Sequence, residues 1–238
     1  MNILVTICAR GGSKGLPNKN IKKINNKNLI YYSIKAAKEF LSNKKGTISL
    51  STDSKKIKDI SEKYDLFTDY IRPNKLSGDN VGKVETINHL LNYEESKQNI
   101  EFDYILDLDV SSPLRTNDDL NNAYDKLIKN RDALNLFSVS ESKKSPYFNM
   151  VIKNDNDFYK KVIDISNIKS RQKSPISYDL NASFYFYKRS FFNLKIDTVF
   201  SKKSIIYLVP HLCFDIDDID DFDYMKYLIE KGKIKFKI

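Results

Sequence analysis

Between Ala9 and Asn20 the chain reads ARGGSKGLPNKN, which places Gly11, Gly12 and Gly15 among Arg10, Lys14 and Lys19. Three of the seven glycines in the whole chain fall in this stretch. Backbone N–H groups left unshielded by side chains, beside three cations, are the ingredients of a polyphosphate cradle. The spacing fits neither the G-x-x-x-x-G-K-[ST] loop nor the G-x-G-x-x-G dinucleotide fingerprint. Pro17 stiffens the exit of the loop, and Asn20 can bond a hydroxyl or a base. A basic surface turn would account for any two of these features, but not for all of them together.

A second concentration is acidic. CFDIDDIDDFDY (213–224) carries six aspartates, of which Asp218, Asp220 and Asp221 are placed to enrich the start of the following helix in negative charge. In YILDLDV, strand alternation sends Asp107 and Asp109 to the same face. His89 falls within a helical pattern and His211 follows Pro210 near the acidic run; neither has a nucleophile beside it.

These residues sit in a chain of 238 residues with 41% hydrophobic content and a net charge of +9. That length suits one α/β domain with a single substantial core. The charge raises a nucleic-acid partner as a possibility, but only six of the 40 basic residues are arginine and no window forms a dense basic block. Most of the lysine therefore reads as a solvated coat, and each arginine carries more information, because Lys does not replace Arg at bidentate anion sites. Cys8 and Cys213 each lie in an apolar run and read as small buried hydrophobes. The start MNILVTIC is a strand without signal-peptide architecture, and no apolar run approaches the length of a membrane span. A cytoplasmic, reduced location is expected.

The elements that position the loop and the acidic run follow from periodicity. Ile3–Cys8 is a near-continuous apolar run, as in a strand buried on both faces. Helical spacing follows over 29–41, then a strand at TISLS (47–51), a helix to about Tyr64 and a short strand at LFTDYI (66–71). Helices are expected over 83–96 and 117–130, flanking the strand FDYILDLDV. This βαβα rhythm predicts an α/β, Rossmann-like, mostly parallel sheet with helices on both faces. After Leu134 five strand-like runs (LNLFSVSES, YFNMVI, FYKKVI, ASFYFYKR and SIIYLVP) predict an antiparallel insertion, with a hairpin turn at 153–157. Such an insertion, within 135–190 of a single domain 1–238, would extend the sheet or swap onto a partner subunit in dimerisation. A capped helix over 218–230 closes the chain.

The segment ICARGGSKGLPNKNI resembles the signature loop of the acylneuraminate cytidylyltransferases, the CMP-sialic acid synthetases. LSTDS, IRPNKLSGD, LDVSSPLR, RQKSPISYDLNASFYFYKR and FDIDDIDDF continue the resemblance in order over nearly the whole chain. DLDVSSPLR and YDLNASFY are similar to the branch that activates legionaminic acid and related nonulosonic acids. The resemblance implies attack of a 2-keto sugar acid's anomeric hydroxyl on the α-phosphorus of CTP, with loss of pyrophosphate. Arg10, Gly11, Gly12, Ser13, Lys14 and Lys19 would then hold the triphosphate, with Arg10, Lys19 and Asp217 as the catalytic set. Asn20, Arg72, Val81 and Lys83 would line the nucleotide pocket, although many relatives carry Ser where Lys83 stands. Asp109 takes the place of a frequent Gln near the sugar acid, where it would bind metal or accept from hydroxyls. Arg171, Gln172, Tyr178 and Asn181 match the sugar-binding segment, in a pocket expected to lie across a homodimer. Asp215 and Asp217 match the carboxylates that bind Mg²⁺, a hard cation suited to oxygen ligands beside phosphates. Arg115 would bond within its own loop.

Two other classes fit parts of the chain. A nucleotide-sugar glycosyltransferase could use DLD as a metal-binding D-x-D, but would not need a basic, glycine-rich grip on a leaving pyrophosphate. A non-catalytic nucleic-acid binder would answer to the +9 charge and would show affinity that falls steeply with salt.

Overall fold

A computed structural model describes residues 1–165 and 170–238, with Arg171 described in its backbone alone. Six strands form the main sheet in the order β10-β6-β9-β5-β1-β4. They span β1 (Ile3–Cys8), β4 (Gly46–Ser51), β5 (Tyr104–Leu108), β6 (Asn135–Glu141), β9 (Tyr178–Lys188) and β10 (Ser204–Leu208). Two small hairpins stand apart: β2 (Lys23–Ile24) with β3 (Lys27–Asn28), and β7 (Val151–Lys153) with β8 (Tyr159–Lys161). The helices are α1 (Leu29–Leu41), α2 (Lys55–Glu62), α3 (Lys83–Gln98), α4 (Asn117–Lys129), α5 (Arg189–Asn193) and α6 (Ile219–Glu230).

Period-2 alternation divides the core between the two faces of the sheet. Ile3, Val5, Ile7, Leu106, Leu108, Phe184 and Phe186 point to the face covered by α1, α4 and α6. Leu4, Ile105, Tyr185 and Tyr187 point to the face covered by α3 and α5. This is the expected helix-on-both-faces arrangement, and it puts Asp107 on the α3 side with Ile105. β4, β1 and β5 run parallel, as do β6 and β10. β9 alone runs against its neighbours, inserted between β5 and β6.

Three expectations need correction. LFTDYI is not a strand, because no neighbouring strand offers it a ladder. The segment is tied to β4 instead by Thr68 Oγ1 donating to Leu50 O (3.3 Å) and by Arg72 N donating to Thr52 O (3.1 Å). SIIYLVP is parallel, not antiparallel, since α5 and the loop after it carry the chain back so that β10 enters beside β6 in the same direction. The runs after Leu134 are also not one insertion: β6, β9 and β10 are main-sheet strands, and β7–β8 is a separate hairpin.

β9 changes register against β6 between Phe137 and Val139. Ala182 there has φ 57°, and Asn181 fills the irregularity by accepting from Ser138 Oγ (2.6 Å) and donating to Ser140 Oγ (3.0 Å). Among the described residues no helix is long and apolar enough to cross a membrane.

The C-terminal tail is pinned by His211, whose Nε2 lies 2.8 Å from Asp119 Oδ2 and whose ring stacks on Phe236. Burial disfavours the imidazolium, but the hydrogen bonds to Asp119 and to the Leu212 carbonyl, with the Asp119 charge, together outweigh it and raise the His211 pKa above its ordinary value. A raised folded-state pKa gives stability that is complete below the unfolded value of about 6.5 and is lost as pH rises through the folded one. The melting temperature of His211→Phe is therefore expected to trail wild type by about 2–4 °C per kcal/mol of lost pairing near pH 6. The gap should close by about pH 9, and melts across that range measure it.

Candidate active site

The site lies where a parallel sheet of this kind binds ligands, at the carboxyl ends of its strands. β1 ends at Cys8 and runs directly into the basic loop; β5 ends beside Asp109. Two adjoining hollows open there and share Cys8 and Arg10. One, of about 230 Å³, is lined by Arg72, Leu76, Gly78, Asp79, Val81, Lys83 and Thr86. The other, of about 280 Å³, is lined by Ser13, Lys14, Lys19, Asp109, Ser111 and Asp217. The structure thus brings Arg10, Ser13, Lys14, Lys19, Asn20, Asp109 and Asp217 to one hollow, and Arg72, Val81 and Lys83 to its neighbour. Cys8, on the floor of both, has its thiol pushed up to about 12 by burial and the Asp107 charge, so it is no nucleophile.

The loop is built by contacts with distant segments. Asn20 Nδ2 donates to Arg10 O at 2.9 Å, closing the loop on itself. Gly11 N donates to Asp53 Oδ1 at 2.8 Å, so this N–H holds the loop to the end of β4 and is not free for phosphate. At Gly12 an added Cβ would meet nothing within 4 Å, whereas at Gly15 it would lie 2.2 Å from Asp217 O. Gly15 is thus required for contact between the basic loop and the acidic segment, a reason that phosphate access alone does not supply. Lys19 Nζ reinforces that contact by donating to Ile216 O, and lies 3.9 Å from Asp217 Oδ1. Gly15→Ala is expected to force the two segments apart. Turnover should fall about 100-fold on the scale of a misplaced reacting group, with the melting temperature within a few degrees of wild type.

Asp53 and Asp79 are the site residues that sequence reasoning missed. Asp79 accepts from Arg10 Nη1 (3.1 Å) and pairs with Lys14 (2.5 Å), and these hydrogen bonds lower its carboxyl pKa. It occupies two of the three cations that the loop offers to phosphate. Asp79→Asn is therefore expected to tighten pyrophosphate binding about threefold to tenfold, the size of one screened charge contact, as calorimetry would show. The signal available in the sequence was the acid in LSGDN, close to the expected nucleotide pocket.

Arg72 is buried; its Nε donates to Ser51 Oγ (2.9 Å) and its Nη2 to Ser51 O (2.8 Å). Its Nη1 makes no hydrogen bond among the described residues, while its backbone N–H donates to Thr52 O. Lys83 Nζ donates to Asp107 Oδ2 (3.0 Å) and Asp109 Oδ2 (2.7 Å). The repulsion expected of Asp109 is thereby offset by a neighbouring ammonium. Burial raises the Asp109 pKa, but the Lys83 charge and the hydrogen bonds from Lys83 and Ser111 win and hold it well below the carboxylate range. Arg115 bonds locally, donating to Asp109 O (2.6 Å), and also reaches Ser33 Oγ (2.7 Å) and Ser183 O.

Of the residues expected at the sugar acid, Asp109 lines the hollow of Lys14 and Lys19, and the others lie elsewhere. Gln172 lines a hollow of about 440 Å³ with Glu141, Lys144, Ser145 and Ser177. Tyr178 is exposed at the start of β9, opposite Glu141. Asn181 is buried in its hydrogen bonds with Ser138 and Ser140. The side chain of Arg171 lies outside the described residues. At the acidic segment, burial raises the Asp215 pKa, and the charges of Asp217 and Asp109 raise it further. No group of three or more His, Cys, Asp or Glu side chains among the described residues could hold a metal without other ligands.

A basic glycine loop meeting an acidic segment at the carboxyl edge of a doubly covered sheet is the architecture of a nucleotidyltransferase. The structure of CMP:2-keto-3-deoxy-manno-octonic acid synthetase complexed with CTP superposes with a TM-score of 0.68 at 12% identity, over 98% of this chain and all of that one. The pattern described as "Cytidylyltransferase" matches residues 4–234, and the chain belongs to the cytidylyltransferase family. It is 37% identical over 236 residues to post-translational flagellin modification protein B of Campylobacter coli, covering 99% of this chain and 98% of that protein. It is 38% identical over 228 residues to CMP-N,N'-diacetyllegionaminic acid synthase of Campylobacter jejuni, covering 95% and 94%.

Proposed function

We propose that the protein transfers CMP from CTP to the anomeric hydroxyl of a nonulosonic, sialic-acid-like 2-keto sugar acid, with legionaminic acid or a close relative favoured. The observation that carries the reading is the 38% identity to a legionaminic acid synthase over nearly both full chains. The apposition of Gly15 and Lys19 with Ile216 and Asp217 supports it, because it sets cations and carboxylates around one space for a triphosphate.

Each chemical requirement has a residue. The anomeric hydroxyl attacks the α-phosphorus in line, its proton passing to the Asp215–Asp217 carboxylate pair, and the bond to the bridging oxygen breaks with the electron pair leaving on pyrophosphate. Arg10, Lys14 and Lys19 accept that growing charge, so their contacts strengthen toward the transition state. Arg72 and the Val81 backbone bound the base hollow. Asp215 and Asp217 would be suited to hold Mg²⁺: they are hard oxygen donors whose mutual repulsion a cation relieves, and this ion is usually bound through one or two carboxylates together with substrate phosphates and waters. When bound, the ion would supply charge neutralisation at the phosphates. The exposed apolar side chains of the β7–β8 hairpin and the segment after it, among them Val151, Phe158, Tyr159 and Ile176, supply a dimer surface.

The glycosyltransferase alternative fares poorly, because Asp107 of the DLD is fully buried and bonded to Lys83 and Thr6. Incubation with CTP, Mg²⁺ and a panel of legionaminic, N-acetylneuraminic and pseudaminic acids tests the reading. Acid-dependent pyrophosphate release, fastest with legionaminic acid, is expected; no release with any acid overturns it. Light scattering of the purified chain should give the mass of two copies.

A further inference from the structure

Lys83 is the first residue of α3, where the helix dipole disfavours a cation. Its ammonium nevertheless sits largely out of water, between two carboxylates. The Asp107 and Asp109 oxygens lie 3.0 and 2.7 Å from Nζ, and the Tyr185 ring centre lies 4.8 Å away. The remaining oxygens are also engaged: Asp107 Oδ1 accepts from Thr6 Oγ1 (2.7 Å), and Asp109 Oδ1 accepts from Ser111 N (2.8 Å) and Oγ (2.7 Å). Taking three charges from water is costly, and apolar side chains would fill the same volume at less expense. The cluster also lies at a particular boundary. Lys83 lines the hollow of Arg72 and Val81, and Asp109 lines the hollow of Lys14, Lys19 and Asp217.

An ammonium has three N–H groups. Two are committed to carboxylates, and the third side of the charge meets the Tyr185 ring, so none is left to read a base. We propose that Lys83 is a positioning residue that acts through Asp109: it holds this carboxylate at the wall of the phosphate hollow and cancels the charge that would otherwise repel CTP. The inference rests on CTP binding by this site and not on the identity of the sugar acid.

Nucleotide affinity, measured by calorimetry without any acid substrate, separates the two ideas. Lys83→Met is expected to weaken CTP binding about tenfold or more, from an uncompensated carboxylate near the triphosphate. Its affinity should recover at lower pH, as the freed pair takes up a proton. Adding Asp109→Asn should restore at least half of the lost affinity on a logarithmic scale and abolish the new pH dependence. The preference for CTP over UTP should be the same in wild type, Lys83→Met and the double variant. A collapse of that preference in Lys83→Met, or a double variant no better than the single, overturns the proposal. If Lys83→Met does not fold, Lys83→Arg decides: retained CTP affinity and preference support it, and a changed preference overturns it. Failure of every acid in the turnover assay, with these binding results intact, would fall on the substrate reading alone.

Discussion

Arg10→Ala should lower kcat/KM for CTP by about 100- to 1,000-fold, the loss seen when one transition-state donor to a developing oxyanion is removed. Arg10 stands at the seam of the two hollows, the only cation lining both among the described residues. Its contacts are with Ser77 O (3.4 Å) and with a half-exposed Asp79, so truncation leaves no buried group unpaired. The melting temperature should therefore stay within about 2 °C of wild type, as for a surface change. Arg10→Lys keeps the charge but not the planar fork, and should fall between the two, about tenfold below wild type. Pyrophosphate release and thermal melts on the same preparations check both statements. Wild-type turnover in Arg10→Ala would remove the basic loop from the chemistry.

If Asp217 holds Mg²⁺ as proposed, Asp217→Asn is expected to cost about 1,000-fold in kcat and to move half-saturation by Mg²⁺ to much higher concentration. Asp217 is exposed and, among the described residues, its one ion-pair partner, Lys19, is 3.9 Å away, so the fold has little need of its charge. Removing that charge also lowers the Asp215 pKa, because Asp217 is one of the groups that raise it. CTP binding without metal should consequently be unchanged or slightly tighter, the opposite of what a damaged pocket would show. An unaltered Mg²⁺ dependence in Asp217→Asn would take the metal away from this pair.

Much of this architecture could be read from residue order. The apolar run of β1, the helical spacing of α1 and the capping residues of α4 and α6 are local signals, decided by side-chain periodicity and by nearby hydrogen bonds. Thr116 and Asp119 cap each other in α4, and Asp218 and Asp221 do the same in α6, within four residues. The loop from Ala9 to Asn20 was legible for the same reason, since its glycines and cations are consecutive.

The errors share a cause. LFTDYI has strand-like residues but no adjacent strand, and periodicity describes faces without naming neighbours. β9 is antiparallel, as ASFYFYKR was expected to be, but only the sheet reveals that it lies between β5 and β6. Lys83 does stand in the hollow of Arg72 and Val81, but the commitment of its ammonium to Asp107 and Asp109 depends on which face of β5 meets the start of α3.

By itself, then, the sequence determined the strand–helix rhythm, the basic glycine loop and the acidic segment as separate pieces with recognisable chemistry. The tertiary structure decided how they meet. Lys19 reaches Ile216 across 197 positions, and Gly15 admits the Asp217 carbonyl where any Cβ would collide. Electrostatic and steric contacts act through a few ångströms of space whatever the separation along the chain. The pairing of a phosphate grip with its opposing carboxylates is therefore a property of the folded sheet.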